Sequence, residues 1–479
     1  YMMNINITLI KKFNFDILAV YLFFVWKVSP AIYADGFNYD DSHEILITRV
    51  DTIYDFFAFA DHHFLYAFTL YLLAYVIPFS TLQVINLIFV LVILFCTKKL
   101  YEELSFSYIS FLLNVVVLIS SPIFLEYSVR IKQYTLDYLL TLLMIFIFVK
   151  LEKKEISIHK FILIGVLVSL SSLILLPVFV VFLIINYKDS LKAKNTLYYF
   201  ISIIFIYYFL NIGSVSLKVF DDKYLDYFSF SFLIDGNPTE ELINLFFSLI
   251  VFFRGVSDNG FLFIYLIVLI FGSIKLYKFD KKFVYAFLLL LTIFCIFHLL
   301  DLYPLSGGRN MTFIYPFVII ALSQTVDLMN NWKKSLILFF LTIFLFTSFY
   351  QVNYPNSYMN NVIDNVLEGE VIIVDYYLIP QYALYSNKNN TLINRRYFKS
   401  DECLYSSPKE QIIFLQDSDC NPLVFEIKEN YNNYDRVIFL SEENNFNKKN
   451  EVKELLDNQE YSLTSETQIG KTYKLIYEK

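Results

Sequence analysis

The sequence predicts a polytopic α-helical membrane protein with a small α/β domain at its C-terminal end. Three observations predict it. Of 479 residues, 57% are hydrophobic, with 52 Phe and 39 Tyr, and only 17% are charged; a soluble domain carries about 25%. Apolar stretches of about 17 to 25 residues recur from Phe13 to Tyr350, the length that crosses a bilayer as a helix. From Gln351 onward the composition turns to Asn, Asp, Glu, Lys and Tyr. A soluble fold would have to bury about ten helices that are apolar all round in one core. The net charge of −7 says little, because no basic stripe accompanies it, and a nucleic-acid partner is excluded. Abundant Lys, Asn, Ile, Phe and Tyr beside 11 Gly and 11 Pro reads as mutational bias, so single Asn and Ile choices are given little weight.

Lys and Arg collect in cytoplasmic loops, which orients each span. Residues 12–30 are too long and too poor in small residues to be a cleaved signal. They form the first span, about 13–31, behind Lys11 and Lys12, with the N-terminus inside. Ala34 to Asp61 carries six Asp and a Glu against one Arg and lies outside, within a first outer loop of 32–80. Residues 62–77, flanked by Pro78, read as a helix in the outer interface. The span 81–97 returns to Lys98–Lys99, 106–123 runs outward, and 133–149 runs back to Lys150, Lys153, Lys154 and Lys160. The stretch 161–187 has basic residues at both ends and Pro177 in its middle, which predicts two short helices meeting near Ser171–Pro177. Residues 196–212 lead outward to an acidic loop, 241–253 read as interfacial, and 260–276 return to Lys275, Lys278, Lys281 and Lys282. Spans 283–300, 310–327 and 335–350 bring the total to about eleven.

Residues 1–350 therefore make the membrane domain, and 351–479 an α/β domain on the outer face of the inner (plasma) membrane. In that domain Val371–Asp375, Arg436–Leu440 and Tyr473–Tyr477 read as strands, and Pro380–Tyr385 and Glu451–Asp457 as helices. Cys403 and Cys420 lie outside the membrane, where a disulfide between them is chemically permitted. Cys96 and Cys295 fall in spans.

Few polar groups fall at the outer face. Asp40 and Asp41 follow the first span and suit a general base held between lipid and water. Asp41 and Glu44 also have the spacing of a helix capping box, which leaves Asp40 ahead of the helix and makes it the first choice. Arg130, Gln133, Tyr134 and Asp137 are spaced to share one helical face. A guanidinium there grips a phosphate with two parallel hydrogen bonds, and Lys132 and Tyr134 join it in that role. The plainer reading of Arg130 and Lys132 is snorkelling to headgroups. Asp137 lies deeper, where ionisable groups are costly, and is a substrate-binding candidate or a partner for Lys132 or Arg130. Arg309 again stands at an outer helix start after Gly307–Gly308, with Tyr303 close by; a turn with an interfacial anchor is its plainer reading. Glu44 and Tyr303 complete the substrate-binding candidates. His62 or His63, beside Asp61, could bind a divalent metal, or simply anchor the interface. No Gly-rich phosphate loop, zinc-type Cys pair or Ser–His nucleophile motif is present, so no cofactor is required.

These stretches, in this order, resemble the GT-C glycosyltransferases of the dolichyl-phosphate-mannose protein mannosyltransferase type, including the bacterial aminoarabinose transferase of lipid A. Asp40–Asp41 stands where that family has Asp-Glu in its first outer loop. Asp61-His-His-Phe-Leu-Tyr66 stands where it has His/Pro-Pro-Leu-Tyr-Tyr, without the prolines. Ser121-Pro122, Tyr127-Ser128 and Arg130 to Tyr134 follow its Ser-Pro, Tyr-Ser, Arg-x-Tyr pattern, with one or two extra residues before the Tyr. Tyr303-Pro304, Arg309 and Tyr315-Pro316 follow its late Tyr-Pro, Arg-Tyr, Pro element, with Asn310 in place of Tyr. The resemblance covers about residues 10–350. It implies inverting sugar transfer from a polyprenyl-phosphate donor to a glycan, lipid or protein acceptor. Asp40 would be the base, with Arg130, Lys132 and Arg309 on the leaving phosphate. An O-antigen-type polymerase or ligase, or a lipid or glycan transporter, are the alternatives.

The topology is open to direct test. An impermeant thiol reagent on intact cells should label single cysteines placed at Ser42 and Asn390. Protection of both would overturn the assigned orientation.

Overall fold

The computed structural model describes residues 15–32, 64–78, 81–186, 262–299 and 311–328. Further along it describes 371–375, 404–407, 412–415, 435–442, 446–458, 460–469 and 472–478, with isolated residues and short runs between. The chain divides into two compact units. One holds Tyr1–Ile32, His62–Tyr66 and Gln83–Val352; the other holds Tyr33–Asp61, Ala67–Leu82 and Asn353–Lys479.

The helices are α1 (Phe15–Ile32), α2 (Phe64–Ala74), α3 (Val84–Glu103), α4 (Tyr108–Ser120), α5 (Pro122–Tyr127) and α6 (Tyr134–Glu152). They continue as α7 (Ile158–Ser171), α8 (Leu176–Ile185), α9 (Leu262–Phe279), α10 (Lys281–Leu299) and α11 (Tyr315–Ser323), the last prolonged by a 3₁₀ turn at Gln324–Leu328. Three of them, α3, α6 and α10, are long and apolar enough to cross a bilayer, which marks a membrane protein. Large apolar side chains also stay exposed on outward faces: Leu22 and Trp26 on α1, Ile88 on α3, Leu167 on α7, Ile270 on α9, Leu288 on α10. In water such a belt would be costly surface; against lipid tails it costs nothing.

Polar contacts tie one end of this helical unit together. Lys98 near the end of α3 pairs with Asp16 at the start of α1 at 2.8 Å. Tyr108, at the start of α4, donates to the same carboxylate at 3.1 Å. Lys150 and Lys153, at the end of α6, pair with Glu103 at the end of α3. Lys282, in the first turn of α10, reaches Glu152 and Asn186, the C-cap of α8, both at 2.8 Å. Ser110 on α4 donates to Asp327 beyond α11 at 3.0 Å. Asp280 ends α9 and caps α10, its carboxylate accepting from the Phe283 N–H at 3.0 Å. The starts of α1, α4 and α10 and the ends of α3, α6, α8, α9 and α11 therefore share one end, here the lysine end. The opposite end carries Arg130 and is called the arginine end.

The stretch 161–187 is two short helices, as its basic flanks and Pro177 predict. α7 and α8 are joined by a 3₁₀ turn, Leu173–Leu175, and Pro177 sits in the first turn of α8, where a missing N–H costs nothing. With 14 residues, α7 is about 21 Å long, too short for a bilayer core of about 30 Å. It leaves the lysine end, turns inside the unit and comes back. Gly165 lets the two arms close, because a Cβ there would collide with the Phe179 ring of α8. A second close approach joins α9 to α11, where Gly272 lies against the backbone of Ala321 and Thr325 donates to the Val268 carbonyl at 2.8 Å.

The second unit is built on a mixed six-stranded sheet: β1 (Val371–Val374), β2 (Leu404–Ser407), β3 (Ile412–Leu415), β4 (Arg436–Glu442), β5 (Ser462–Ile469) and β6 (Thr472–Glu478), in the order β2-β3-β1-β4-β6-β5. The central trio β3, β1, β4 is parallel, and antiparallel strands close both sides. β1 is buried along its whole length, as a central parallel strand must be. Val371, Ile373, Val437, Phe439, Leu475 and Tyr477 form one core face, covered by Val452 and Leu456 one turn apart on α12 (Phe446–Asp457). The strands anticipated at 371–375, 436–440 and 473–477 and the helix at 451–457 are present. β2, β3 and β5 were not anticipated. Pro380–Tyr385 lies almost wholly outside the described residues, as does the span 335–350.

Tyr477 is fully buried, and among the described residues its hydroxyl has no hydrogen-bond partner. Burial, reinforced by Asp457 and Glu466, pushes its phenol up to about 12. An unfolded tyrosine ionises near pH 10. Between those values the unfolded chain has released a proton that the native chain retains, so stability falls as pH rises from about 10 to 12, by on the order of 2 kcal/mol. Pulse proteolysis within residues 435–478 of the full chain should show this alkaline loss. Tyr477→Phe should remove it while leaving stability at pH 7 unchanged or slightly higher; an undiminished loss would refute the assignment.

Candidate functional site

The polar centre of the arginine end is the break between α5 and α6. Ser121 starts it: its hydroxyl accepts from the Phe124 N–H at 3.4 Å, and Pro122 occupies the first helical position. α5 stops at Tyr127 and α6 begins at Tyr134. The backbone between them lies outside a regular helix and is buried, so its polar groups need partners within the protein. Asn86, fully buried in the first turn of α3, supplies them. Its Nδ2 donates to the carbonyls of Tyr127 and Lys132, each at 3.3 Å, and to that of Arg130. The Thr135 hydroxyl adds a second donor to the Tyr127 carbonyl at 3.0 Å, and the Lys132 N–H bonds the Arg130 carbonyl at 2.9 Å.

Arg130 is held in this turn and is nine-tenths buried. Its Nη1 lies 3.3 Å from Glu126 Oε1, and its guanidinium stacks over the Tyr127 ring at 5.5 Å. Tyr127 in turn meets the Tyr134 ring edge-on at 4.7 Å. One expectation needs correction here. Arg130, Gln133, Tyr134 and Asp137 do not share a helical face, because Arg130 precedes the helix. Its carbonyl is taken by Asn86 and Lys132 rather than by an N–H four residues on. Gln133 caps α6, and Tyr134 and Asp137 lie within it.

Beside the Tyr127–Tyr134 pair is a narrow cleft between α4, α5, α6 and α11. Its walls are Leu118, Phe124 and Ile319 together with Ser121, Thr135, Thr312 and four tyrosines, Tyr127, Tyr134, Tyr138 and Tyr315. It thus combines aromatic surface with hydroxyls and has no carboxylate in its lining. Lys132 is half-buried at the turn. Asp137, one turn into α6, is 2% exposed and accepts a hydrogen bond from Ser172, at the tip of the α7–α8 hairpin. The lengths agree: Asp137 lies about 22 Å along α6 from Glu152, and α7 rises about 21 Å from the same end.

The structure thus places Arg130, Lys132, Tyr134 and Asp137 on one turn and the helix that follows it. Asp40, Asp41, Glu44, His62, His63, Tyr303, Arg309, Cys403 and Cys420 lie outside the described residues. Among the described residues no three His, Cys, Asp or Glu side chains gather as a metal site would require. Cys96 and Cys295 are free thiols. Sequence reasoning missed Asn86 and Ser172. The signal for Asn86 was there, an amide inside an apolar run, but compositional bias made every Asn look uninformative.

Asn86→Asp is the sharpest test of the turn, since it replaces a donor by an acceptor facing carbonyl oxygens. Leaving buried carbonyls unpaired costs about 1–3 kcal/mol each. The variant should lose several degrees of thermal stability in detergent and expose a cysteine placed at position 130 to alkylation. Wild-type stability would mean that the turn does not depend on Asn86. Comparison with models of known protein families gives no match, and comparison with curated proteins gives none.

Proposed function

We propose that this chain is a membrane glycosyltransferase of the GT-C type, with about eleven spans. On this reading it moves a sugar from a polyprenyl-phosphate donor to an acceptor on the outer face of the membrane. The observation that carries the reading is Arg130. A guanidinium is nine-tenths buried against the ring of Tyr127, which lines an aromatic, hydroxyl-bearing cleft, at the end of the unit away from the lysine cluster. Burying a cation is costly, and in a membrane protein such a group is a candidate for function. Glu126 and the Tyr127 ring already meet that charge, and an anionic ligand with an apolar tail, such as a polyprenyl phosphate, suits the same cationic and aromatic surroundings.

In this scheme the lysine end faces the cytoplasm, and the arginine end and the sheet unit face outward. The acceptor hydroxyl oxygen attacks the anomeric carbon of the donor from the face opposite the phosphate. Its proton passes to Asp40, with Asp41 as the alternative base. The bond from the anomeric carbon to the phosphate oxygen breaks, and polyprenyl phosphate leaves with the electron pair. Arg130, Lys132 and Arg309 stabilise the charge that gathers on it. Tyr134 and the cleft hydroxyls orient the donor, Glu44 and Tyr303 act on substrate from the flanks, and Asp137, buried and bonded to Ser172, takes the structural role. A bound divalent metal at His62 or His63 is not needed for any of these steps.

A second reading, a lipid or glycan transporter, draws on one feature: a broken helix pair whose tip meets a buried carboxylate resembles the discontinuous helices of transporters. The two readings diverge on transfer from a purified polyprenyl-phosphate sugar. Asp40→Asn should lower turnover by about 10²- to 10⁴-fold with donor binding retained. Arg130→Lys and Arg309→Lys should fail to restore it, since Lys lacks the planar fork that holds two phosphate oxygens. Full turnover in Asp40→Asn and Asp41→Asn alike would sink the transferase reading.

A further inference from the structure

We propose that Lys27 is a second cation of the arginine end and that, with Arg130, it holds the phosphate of a polyprenyl phosphate. The inference rests on reading this end as a lipid-phosphate site, and does not depend on any transfer from it.

Lys27 lies inside an apolar helix, four residues beyond Phe23 and one before the buried Val28. Its height follows from a fixed contact. α1 and α3 run antiparallel and are pinned at the lysine end by Asp16 and Lys98. Eleven residues along α1 from Asp16 is a rise of about 16 Å, and twelve residues back along α3 from Lys98 to Asn86 is about 18 Å. Lys27 and Asn86 therefore lie in one layer, and Asn86 holds the Arg130 carbonyl. The direction follows as well. Positions eleven apart on an α-helix differ by about 20°, so Lys27 stands on the same stripe as Asp16, the stripe that meets α3. Phe24, one turn before Lys27, packs its ring on Phe124 of the cleft wall at 6.2 Å.

The helix is rebonded in the turn that carries Lys27. Pro30 deprives the Trp26 carbonyl of its usual N–H partner, and the Ser29 hydroxyl donates to that carbonyl at 2.8 Å instead. Trp26 faces away and is 67% exposed, while Lys27 is half-buried. One face of this turn is thus exposed, and the next carries a cation on the stripe that meets α3. A snorkelling lysine would do no more than reach headgroups.

Binding separates the two roles. Full-length protein carrying Trp332→Phe, in phosphatidylcholine nanodiscs, is titrated with a long-chain polyprenyl monophosphate, using the fluorescence of the remaining Trp26, and with the uncharged polyprenol as control. Lys27→Met should weaken the phosphate ligand about tenfold or more, the worth of a charge-assisted contact, and leave polyprenol binding unchanged. Lys27→Arg should bind within about threefold of wild type, and Lys278→Met, on the exposed lysine end, should match wild type. Lys27→Gln repeats the measurement if the Met variant does not fold. Unchanged phosphate affinity in the Met or Gln variant would return Lys27 to snorkelling, and equal loss for polyprenol would make its role one of shape. Displacement by inorganic phosphate, or by phosphatidylglycerol placed in the disc, at matching concentrations would show a general anion surface and overturn the polyprenyl assignment. Tight binding without turnover in the wild type would defeat the transferase reading and leave this one standing.

Discussion

One carboxamide decides the shape of the arginine end. A chain that stops a helix among buried side chains leaves carbonyls that water cannot reach. Asn86 gathers three of them from a single turn, and everything polar nearby depends on that gathering. It fixes where α6 begins, hence where Tyr134 and Asp137 point. It also holds Arg130 out of the helix, over the Tyr127 ring rather than along a lipid-facing stripe. An Asp at this site would repel the same oxygens, and a Leu would abandon them, so the residue type follows from the chemistry.

The helical unit combines two ways of handling charge. At the lysine end, cations meet carboxylates across helix boundaries: Lys98 with Asp16, Lys150 and Lys153 with Glu103, Lys282 with Glu152. These pairs are partly exposed, and each contributes little to stability on its own. At the arginine end, one guanidinium is buried against a ring and a carboxylate beside hydroxyl groups. Between the two ends, the α7–α8 hairpin carries Ser172 to Asp137. Its tip makes a polar contact one turn into α6, and Gly165 permits it by letting Phe179 close against the other arm.

How much of this was legible in the sequence depended on the period of each pattern. Long apolar runs and their basic flanks located α1, α3, α6, α9 and α10 within a few residues. Pro177 with basic residues at both ends revealed the broken pair at 161–187. In the sheet unit, Val371–Val374 and Val437–Leu440 are continuous apolar runs, the mark of a buried parallel strand. β5, reading Ser-Leu-Thr-Ser-Glu-Thr-Gln-Ile, shows no such run, because an edge strand needs none. The Arg130 to Asp137 spacing fits a helix well, yet the chain is not helical at Arg130. The cause lies 44 residues away at Asn86, and no local pattern carries it.

The ion pairs of the lysine end bear on how such a chain enters the membrane. Orientation during insertion is set by Lys and Arg near the ends of spans, and acidic residues count for little. In each of these pairs the carboxylate comes earlier in the chain: Asp16 before Lys98, Glu103 before Lys150 and Lys153, Glu152 before Lys282. Each lysine thus reaches a partner on a helix made before its own, and the pair closes as the later helix packs against the earlier one. A substitution such as Glu103→Gln should thus loosen the assembled helices without turning any of them over.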